Sequence, residues 1–144
     1  MNSLMRQAVV ALLLVAATAS CTSQQETAAA ERIKADERAR AILETDPSPL
    51  LMATGWQVEH EANTYTRATT ISWTNRSTLA VTDLEGHFTY MDGNGAVMAT
   101  VPFKADGEIG PGETKTLKVY VDAVAGTPMR MRVHVEKVRI LVGR

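Results

Sequence analysis

Residues 84–104 have the sequence LEGHFTYMDGNGAVMATVPFK, and this stretch decides the fold. On both sides of Asp92-Gly-Asn-Gly95, apolar and polar residues alternate, which is the pattern of a half-buried β-strand. Glycine and asparagine tolerate the positive φ that tight turns require, so these four residues predict a hairpin turn. The stretch therefore predicts two antiparallel strands, Leu79–Met91 and Ala96–Lys104.

The same alternation extends along the chain in both directions. Upstream, Tyr65–Trp73 alternates and is followed by the turn-forming residues Asn75-Arg-Ser77. Downstream lie Thr114–Asp122 and a last strand that begins at Met129. In that last strand the apolar positions change parity near Glu136-Lys137, which predicts a bulge because one extra residue turns every later side chain over. Six or seven strands of this kind predict an all-β antiparallel sandwich.

Strand-like alternation begins at Trp56, so the sandwich domain is assigned to residues 55–144. The chain has one cysteine, so no internal disulfide is available and the core must be held by apolar packing. We expect the centre of that core to consist of seven side chains: Trp73, Phe88, Tyr90, Phe103, Leu117, Val119 and Val133.

Three motifs carry a family resemblance: Ile71-Ser-Trp-Thr-Asn-Arg-Ser77, Phe88-Thr-Tyr-Met-Asp-Gly93 and Ile109-Gly-Pro-Gly-Glu-Thr114. In this order they resemble the immunoglobulin-like modules of bacterial envelope proteins, as in FxLYD-type domains and the small YcfL-like outer-membrane lipoproteins. The resemblance covers about Tyr65–Val135. It implies an immunoglobulin-like sandwich, and neither family supplies a catalytic constellation to transfer.

The N-terminus has the pattern of a secretory signal peptide, assigned to residues 1–20. Arg6 precedes the apolar run Ala8–Ala19, whose twelve residues are fewer than the ~20 that a membrane-spanning helix needs. Thr18-Ala-Ser-Cys21 resembles the lipobox of bacterial lipoproteins, which implies cleavage between Ser20 and Cys21 and acylation of Cys21. Cleavage after Ala19, leaving a soluble protein with a free thiol, is the alternative. The absence of Asp after the cysteine resembles the pattern sorted to the outer membrane, facing the periplasm.

Residues 21–54 are predicted to connect the lipid to the sandwich. Thr22–Thr27 is small and polar, which indicates a flexible leader, whereas Glu26–Glu44 is rich in helix-forming Ala, Glu, Arg and Lys. Pro47 should end the helix, because proline disfavours helical geometry in the residue before it. Ile33, Ile42 and Leu43 give this helix a thin apolar face. It is therefore either a spacer or a docking helix for a partner or for its own domain.

The composition offers little reactive chemistry. A formal net charge of −1 gives no argument for nucleic-acid binding. His60, His87 and His134 lack metal-ligand spacing, and Asp92 begins a hairpin rather than a complete calcium loop. No Gly-x-Ser-x-Gly motif occurs, and the glycine-rich residues 107–112 lack the lysine of a phosphate-binding loop. We expect no catalytic site, no metal and no cofactor.

One polar surface is a candidate interaction stripe: Arg130, Arg132 and His134 alternate with apolar residues, and Lys137, Arg139 and Arg144 extend the positive charge. The stripe is either a docking surface for an acidic partner or a charged guard on a sheet edge. The sequence thus predicts a non-catalytic, lipid-anchored envelope protein that acts as an interaction or accessory module for an envelope protein partner. Two alternatives stay open: a small-ligand binder with a cleft between the helix and Trp56 or Trp73, and a structural subunit of a secretion or envelope complex.

Overall fold

The computed structural model of this chain describes residues 2–59, 66–122 and 125–142, with side chains from Cys21 onward except those of Thr66 and Arg67. His60, Tyr65 and Arg144, each named above, lie outside the described residues, as does the side chain of Ser20. The chain divides into two compact units, Met1–Ala35 and Asp36–Arg144. Within the described residues, no helix combines the length and the apolar character needed to cross a membrane.

A single helix, α1, extends from Asn2 to Thr45 and ends directly before Asp46-Pro47, as predicted. Residues 22–27, predicted to be a flexible leader, are helical, so that prediction is wrong. Gln24, Gln25 and Glu26 are good helix formers, and helix propagates through a short polar segment more readily than it starts anew.

The last turns of α1 pack on the strand-containing unit to which they belong. Leu43 is 2% exposed and is part of the main core, and Ala39 is also buried. Ile33 and Ile42 are exposed, so they contribute little to this packing. Residues 36–45 therefore follow the docking alternative, with their own domain as the surface on which they dock.

Six strands are described, all paired antiparallel: β1 Leu51–Glu59, β2 Thr66–Asn75, β3 Val81–Met91, β4 Val97–Ala105, β5 Thr114–Asp122 and β6 Arg130–Ile140. They form two sheets, with the orders β1-β2-β5 and β4-β3-β6. Buried side chains of both sheets share one core. The predicted all-β sandwich is thereby confirmed, while its closer assignment as immunoglobulin-like stays a prediction.

Strand β1 begins at Leu51, before the alternation that starts at Trp56. The register with β2 shifts between Ala53 and Gly55, so Thr54 is an extra residue on the bulged strand. A bulge of this kind changes which face the later side chains occupy. The first half of β1 therefore has no continuous period of two, and the sequence pattern misses it.

The core contains six of the seven predicted side chains, among them Trp73, Phe88 and Phe103. Phe103 stacks on Phe88 with ring centroids 4.3 Å apart and lies 5.6 Å from the ring of Trp73. The prediction for Val133 was wrong: it is half-buried and packs at the margin of the core, because it lines a groove between β1 and β6 and is not covered there by a neighbouring strand. Six large, fully buried apolar residues were missing from that list: Leu43, Ile71, Val81, Leu84, Ile109 and Val135.

The predicted bulge in β6 is confirmed. Val135 pairs with Gly86 and Lys137 with Glu85, which leaves Glu136 as the extra residue. A second irregularity follows in β3, where Asp83 has a φ of 52° and accepts a hydrogen bond of 2.6 Å from Nε of Arg139. These two bulges rotate the end of β6 relative to its beginning.

Two of the motifs that carry the family resemblance meet in one buried hydrogen-bond cluster around Asn75. Its Nδ2 donates to the carbonyl oxygens of Leu79 and Ile109, at 2.8 and 3.1 Å. Its Oδ1 accepts from the backbone N–H and the hydroxyl of Ser77. The backbone of Asn75 also bonds to Gly112, whose φ of 69° favours glycine, and to Glu113. This cluster ties the end of β2 to the connection between β4 and β5.

Candidate interaction site at the open seam

A sandwich of two three-stranded sheets has two seams, where an edge strand of one sheet lies beside an edge strand of the other. Strands β4 and β5 form one of them, which we call the closed seam. The inward side chains along it are at most 8% exposed; they are Val101, Phe103, Leu117, Val119 and Val121. These five side chains are therefore covered at this seam.

The second seam, the open seam, lies between β1 and β6. No ladder joins these two strands in the part of the chain that the structure describes. A groove of about 350 Å³ separates them, lined by residues 48, 51–56 and 131–133. Trp56, Met131 and Val133 line it and are only half-buried, although all three pack against the core cluster. The groove is therefore a partly apolar cleft that reaches the margin of the core.

The two tryptophans have different environments. Trp73 is fully buried and its ring contacts Phe103 inside the core. Trp56 pairs with Ile71 across the β1–β2 ladder, so both side chains lie on the same face, but β1 is an edge strand and leaves Trp56 half-buried in the groove. The ligand-binding alternative expected a cleft between the helix and Trp56 or Trp73. Trp56 does line a cleft, but the other walls of this cleft are β6 and the segment around Ser48.

Ser48 closes one end of the open seam. Its Oγ accepts the backbone N–H of Val135 at 2.8 Å and lies 3.1 Å from the carbonyl oxygen of the same residue. It also lies 3.0 Å from Nδ1 of His134. Pro47, just before it, is buried. The side chain of Ser48 thus satisfies edge groups of β6, a role that no local pattern indicates because Ser48 and Val135 are far apart along the chain.

The predicted stripe of Arg130, Arg132 and His134 does lie on one face of β6, and all three side chains are exposed. Their environments differ, however. His134 contacts Ser48, so one of its ring nitrogens already has a partner. Arg130 and Arg132 form no ion pair with any side chain of the described residues. Arg132 also lines the groove and is the one charged residue among those that do.

Two other cations of this sheet have acidic partners, whereas Lys137 on β6, like the two arginines, forms no ion pair with a described residue. Nε of Arg139 bonds to Asp83, and Nζ of Lys104 lies 2.8 Å from Oε1 of Glu85. The hydrogen bond from Lys104 lowers the pKa of the Glu85 carboxyl, and the Glu85 carboxylate raises the pKa of Lys104. Against this background, the two arginines beside the open seam are positive groups with no counter-charge among the described residues.

A second depression, of about 490 Å³, is lined by residues of β3, β4 and β6 together with Tyr120 of β5, and its lining includes the core residue Phe103. It is lined in part by the Glu85–Lys104 pair and by His87, whose Nδ1 lies 2.8 Å from Oε1 of Glu136. Each charged group here has a partner of opposite sign when His87 is protonated. The depression therefore presents balanced charge, unlike the open seam.

The other residues considered as site candidates in the sequence either stabilise a turn or lie apart from any potential co-ligand. Cys21 is an exposed free thiol. Oδ1 of Asp92 accepts the backbone N–H groups of Asn94 and Ala96, both at 2.9 Å, which stabilises the hairpin turn. Among residues 2–59, 66–122 and 125–142 no group of three His, Cys, Asp or Glu side chains is arranged to hold a metal ion. The structure brings His87 and His134 opposite each other on β3 and β6, without a third ligand.

Comparison with protein-family models gave no match, and comparison with curated proteins gave none either. The resemblance to envelope lipoprotein domains therefore stays a prediction that depends on the three motifs alone. The geometry of the chain itself, above all the open seam and the two arginines beside it, is what bears on function.

Proposed function

We propose that this protein is a non-catalytic, lipid-anchored component of the bacterial envelope, held at the outer membrane on the periplasmic side, where its sandwich serves as an interaction module. The single observation that carries the proposal is the pairing of an accessible apolar groove with exposed arginines that form no ion pair within the described part of the chain. Exposed apolar patches with a polar rim are typical of interaction sites.

The anchor follows from the lipobox-like residues before Cys21. The thiol is exposed, so it is accessible to a modifying enzyme. Two or more acyl chains give stable membrane attachment, because each buried CH₂ contributes about 0.8 kcal/mol. The amphipathic surfaces of a tethered sandwich would then be held close to other envelope proteins, which raises their effective concentration.

The anchor is tested by mass spectrometry and fractionation of the protein expressed in a Gram-negative host. We expect the processed chain to begin at Cys21 and to carry acyl mass, and we expect Cys21→Ser to leave the membrane fraction. Ser23→Ala is the matched control, because it changes a nearby small polar residue and leaves the cysteine in place. An unmodified thiol on a secreted chain would show that the anchor assignment is wrong.

The interaction role is tested by crosslinking in the native envelope, followed by identification of the attached proteins. The double variant Arg130→Ser/Arg132→Ser should lose the crosslinked partner while its melting temperature stays unchanged, since both side chains are exposed. Recovery of the same partner at the same yield would exclude these arginines from the interface.

A further inference from the structure

The outer edge of β6 already binds a polar group from outside its sheet. Since Ser48 bonds to both the N–H and the C=O of Val135, these two groups point away from β3 and toward the open seam. In an antiparallel ladder this direction recurs at every second residue. The register confirms the step of two, because Val135, Val133 and Met131 pair with Gly86, Phe88 and Tyr90. The backbone groups of Val133 and Met131 therefore point into the groove next to Ser48.

The groove combines three recognition elements. Trp56 and Met131 provide an apolar surface, β6 provides backbone donors and acceptors, and Arg132 provides a positive charge without a partner among the described residues. An extended peptide uses all three at once, since its backbone pairs with the edge while its side chains alternate between the two faces.

We infer that the open seam binds an extended, acidic segment of a protein partner by strand addition to β6. This inference deepens the interaction role proposed above and rests on it. The added strand pairs with β6 from Val133 toward Arg130, next to the position that Ser48 occupies. Its outward side chains face Arg132 and Arg130 and are acidic, and its inward side chains face Trp56 and Met131 and are apolar. The recognised sequence therefore alternates acidic and apolar residues.

A second copy of this chain fits the seam less well. Pairing of β6 with β6 would place Arg130 and Arg132 of one copy against the same cations of the other, and like charges directly opposite destabilise a ladder. The same arginines that discourage self-association of the edge attract an acidic segment. Charge complementarity thus selects a partner of different sequence.

The test uses the intact protein and a labelled peptide in which Asp and Val alternate, followed by fluorescence anisotropy. We expect saturable binding that weakens about tenfold or more in Arg132→Glu, since like charges then face each other. Arg38→Glu is the matched control, because Arg38 is exposed on α1 and does not line the groove, and its affinity should stay within about twofold. A peptide of the same composition with Asp and Val in separate blocks should bind weakly, as should one with Lys in place of Asp.

Peptide chemistry tests strand addition without altering the protein. N-methylation of alternate residues removes donors on one edge of the peptide, so one of the two methylated series should lose binding and the other should retain it. In the bound protein, amide hydrogen exchange of Val133 and Met131 should slow, whereas that of Val135, already bonded to Ser48, should change little.

Three results would overturn the inference: equal binding of the Lys peptide, equal binding of both methylated series, or no binding of the alternating peptide. Tight binding of a small metabolite at Trp56 that the peptide cannot displace would also overturn it and would favour the ligand-binding alternative. If Arg132→Glu leaves the yield of the crosslinked partner unchanged, the inference about the open seam is overturned, while the proposed interaction role remains. Peptide binding by a chain whose Cys21 is unmodified in the native envelope would support the seam and overturn the lipid anchor.

Discussion

The two seams of this sandwich are built from similar strands but have different surroundings. At the closed seam, Phe103 and Val119 are 3% and 1% exposed. At the open seam, Trp56 and Val133 lie on the corresponding inward faces and are only half-buried. The closed seam therefore contributes mainly to stability, whereas the open seam retains apolar area and edge hydrogen-bonding groups that a partner can still bury. Four measurements test this difference, from the largest expected effect to the smallest.

Truncating an aromatic side chain at each seam should give the largest contrast. Phe103→Ala removes a ring stacked on Phe88 inside the core, and a change of this kind costs about 3–5 kcal/mol. Trp56→Ala should cost about 1–2 kcal/mol, because a half-buried ring removes less apolar area from water. Urea denaturation of both variants measures the two free energies of unfolding. Equal losses would show that the open seam is as tightly packed as the closed one.

The connection across the closed seam should depend on Asn75. In Asn75→Ala the buried N–H of Ser77 loses its partner, and the carbonyl oxygens of Leu79 and Ile109 each lose one hydrogen bond while keeping those from the Ser77 hydroxyl and the Val81 N–H. Each unsatisfied buried group costs about 1–3 kcal/mol, so we expect a loss of about 2–3 kcal/mol after local relaxation. Asn94→Ala, in an exposed turn, is the control and should stay within about 0.5 kcal/mol. Equal melting temperatures for the two variants would show that the hydrogen bonds of Asn75 do not stabilise the fold.

Two valines on edge strands provide a matched pair. Val119→Ala in β5 should cost about 2 kcal/mol, since two buried methyl equivalents are lost and a cavity remains. Val133→Ala in β6 should cost about 1 kcal/mol or less, because this side chain is already in partial contact with water. The same denaturation experiment compares them. A larger loss for Val133 would contradict the assignment of β6 to the open seam.

The smallest expected effect concerns the Glu85–Lys104 ion pair, which contrasts with the arginines beside the open seam. Lys104 lowers the pKa of Glu85, so this pair stabilises the folded state above the ordinary glutamate value of about 4.3, and the contribution is lost as the pH falls through the lower folded-state pKa. Lys104→Gln should raise the pKa of Glu85 in an NMR titration and reduce the loss of stability in acid. Lys115→Gln is the control, because Lys115 bonds to the carbonyl oxygen of Glu108 and not to a carboxylate. An unchanged Glu85 titration would show that the pair does not persist in solution.

Much of the sheet was predictable because its signals are local. The turn at Asp92–Gly95, the bounds of Thr114–Asp122 and the bulge at Glu136 all follow from residue spacing, and the structure confirms each of them. The first half of β1 was missed because its bulge interrupts the period of two. Residues 22–27 were assigned to a leader because polarity was given more weight than helix propagation from both sides.

The candidate site was predictable only in part. The exposure of Arg130 and Arg132 follows from alternation, so the stripe could be named from the sequence. The role of Ser48 depends on a contact with β6 that no local pattern encodes. In the sequence alone, Trp56 and Trp73 are equally plausible ligand contacts. Their burial differs because Trp56 lies on the edge strand β1 and Trp73 on the central strand β2.

Strands β5 and β6 show where sequence information ends. Both alternate polar or basic residues with apolar ones, Lys118 beside Val119 and Arg132 beside Val133, and this alone determines that each is a strand with one apolar face. The sequence also locates the turn at Asp92–Gly95, and its first twenty residues predict an export signal. Only the tertiary structure decided that Val119 is covered and Val133 is not, because burial of an edge strand depends on what lies across the seam, and that neighbour comes from a distant part of the chain.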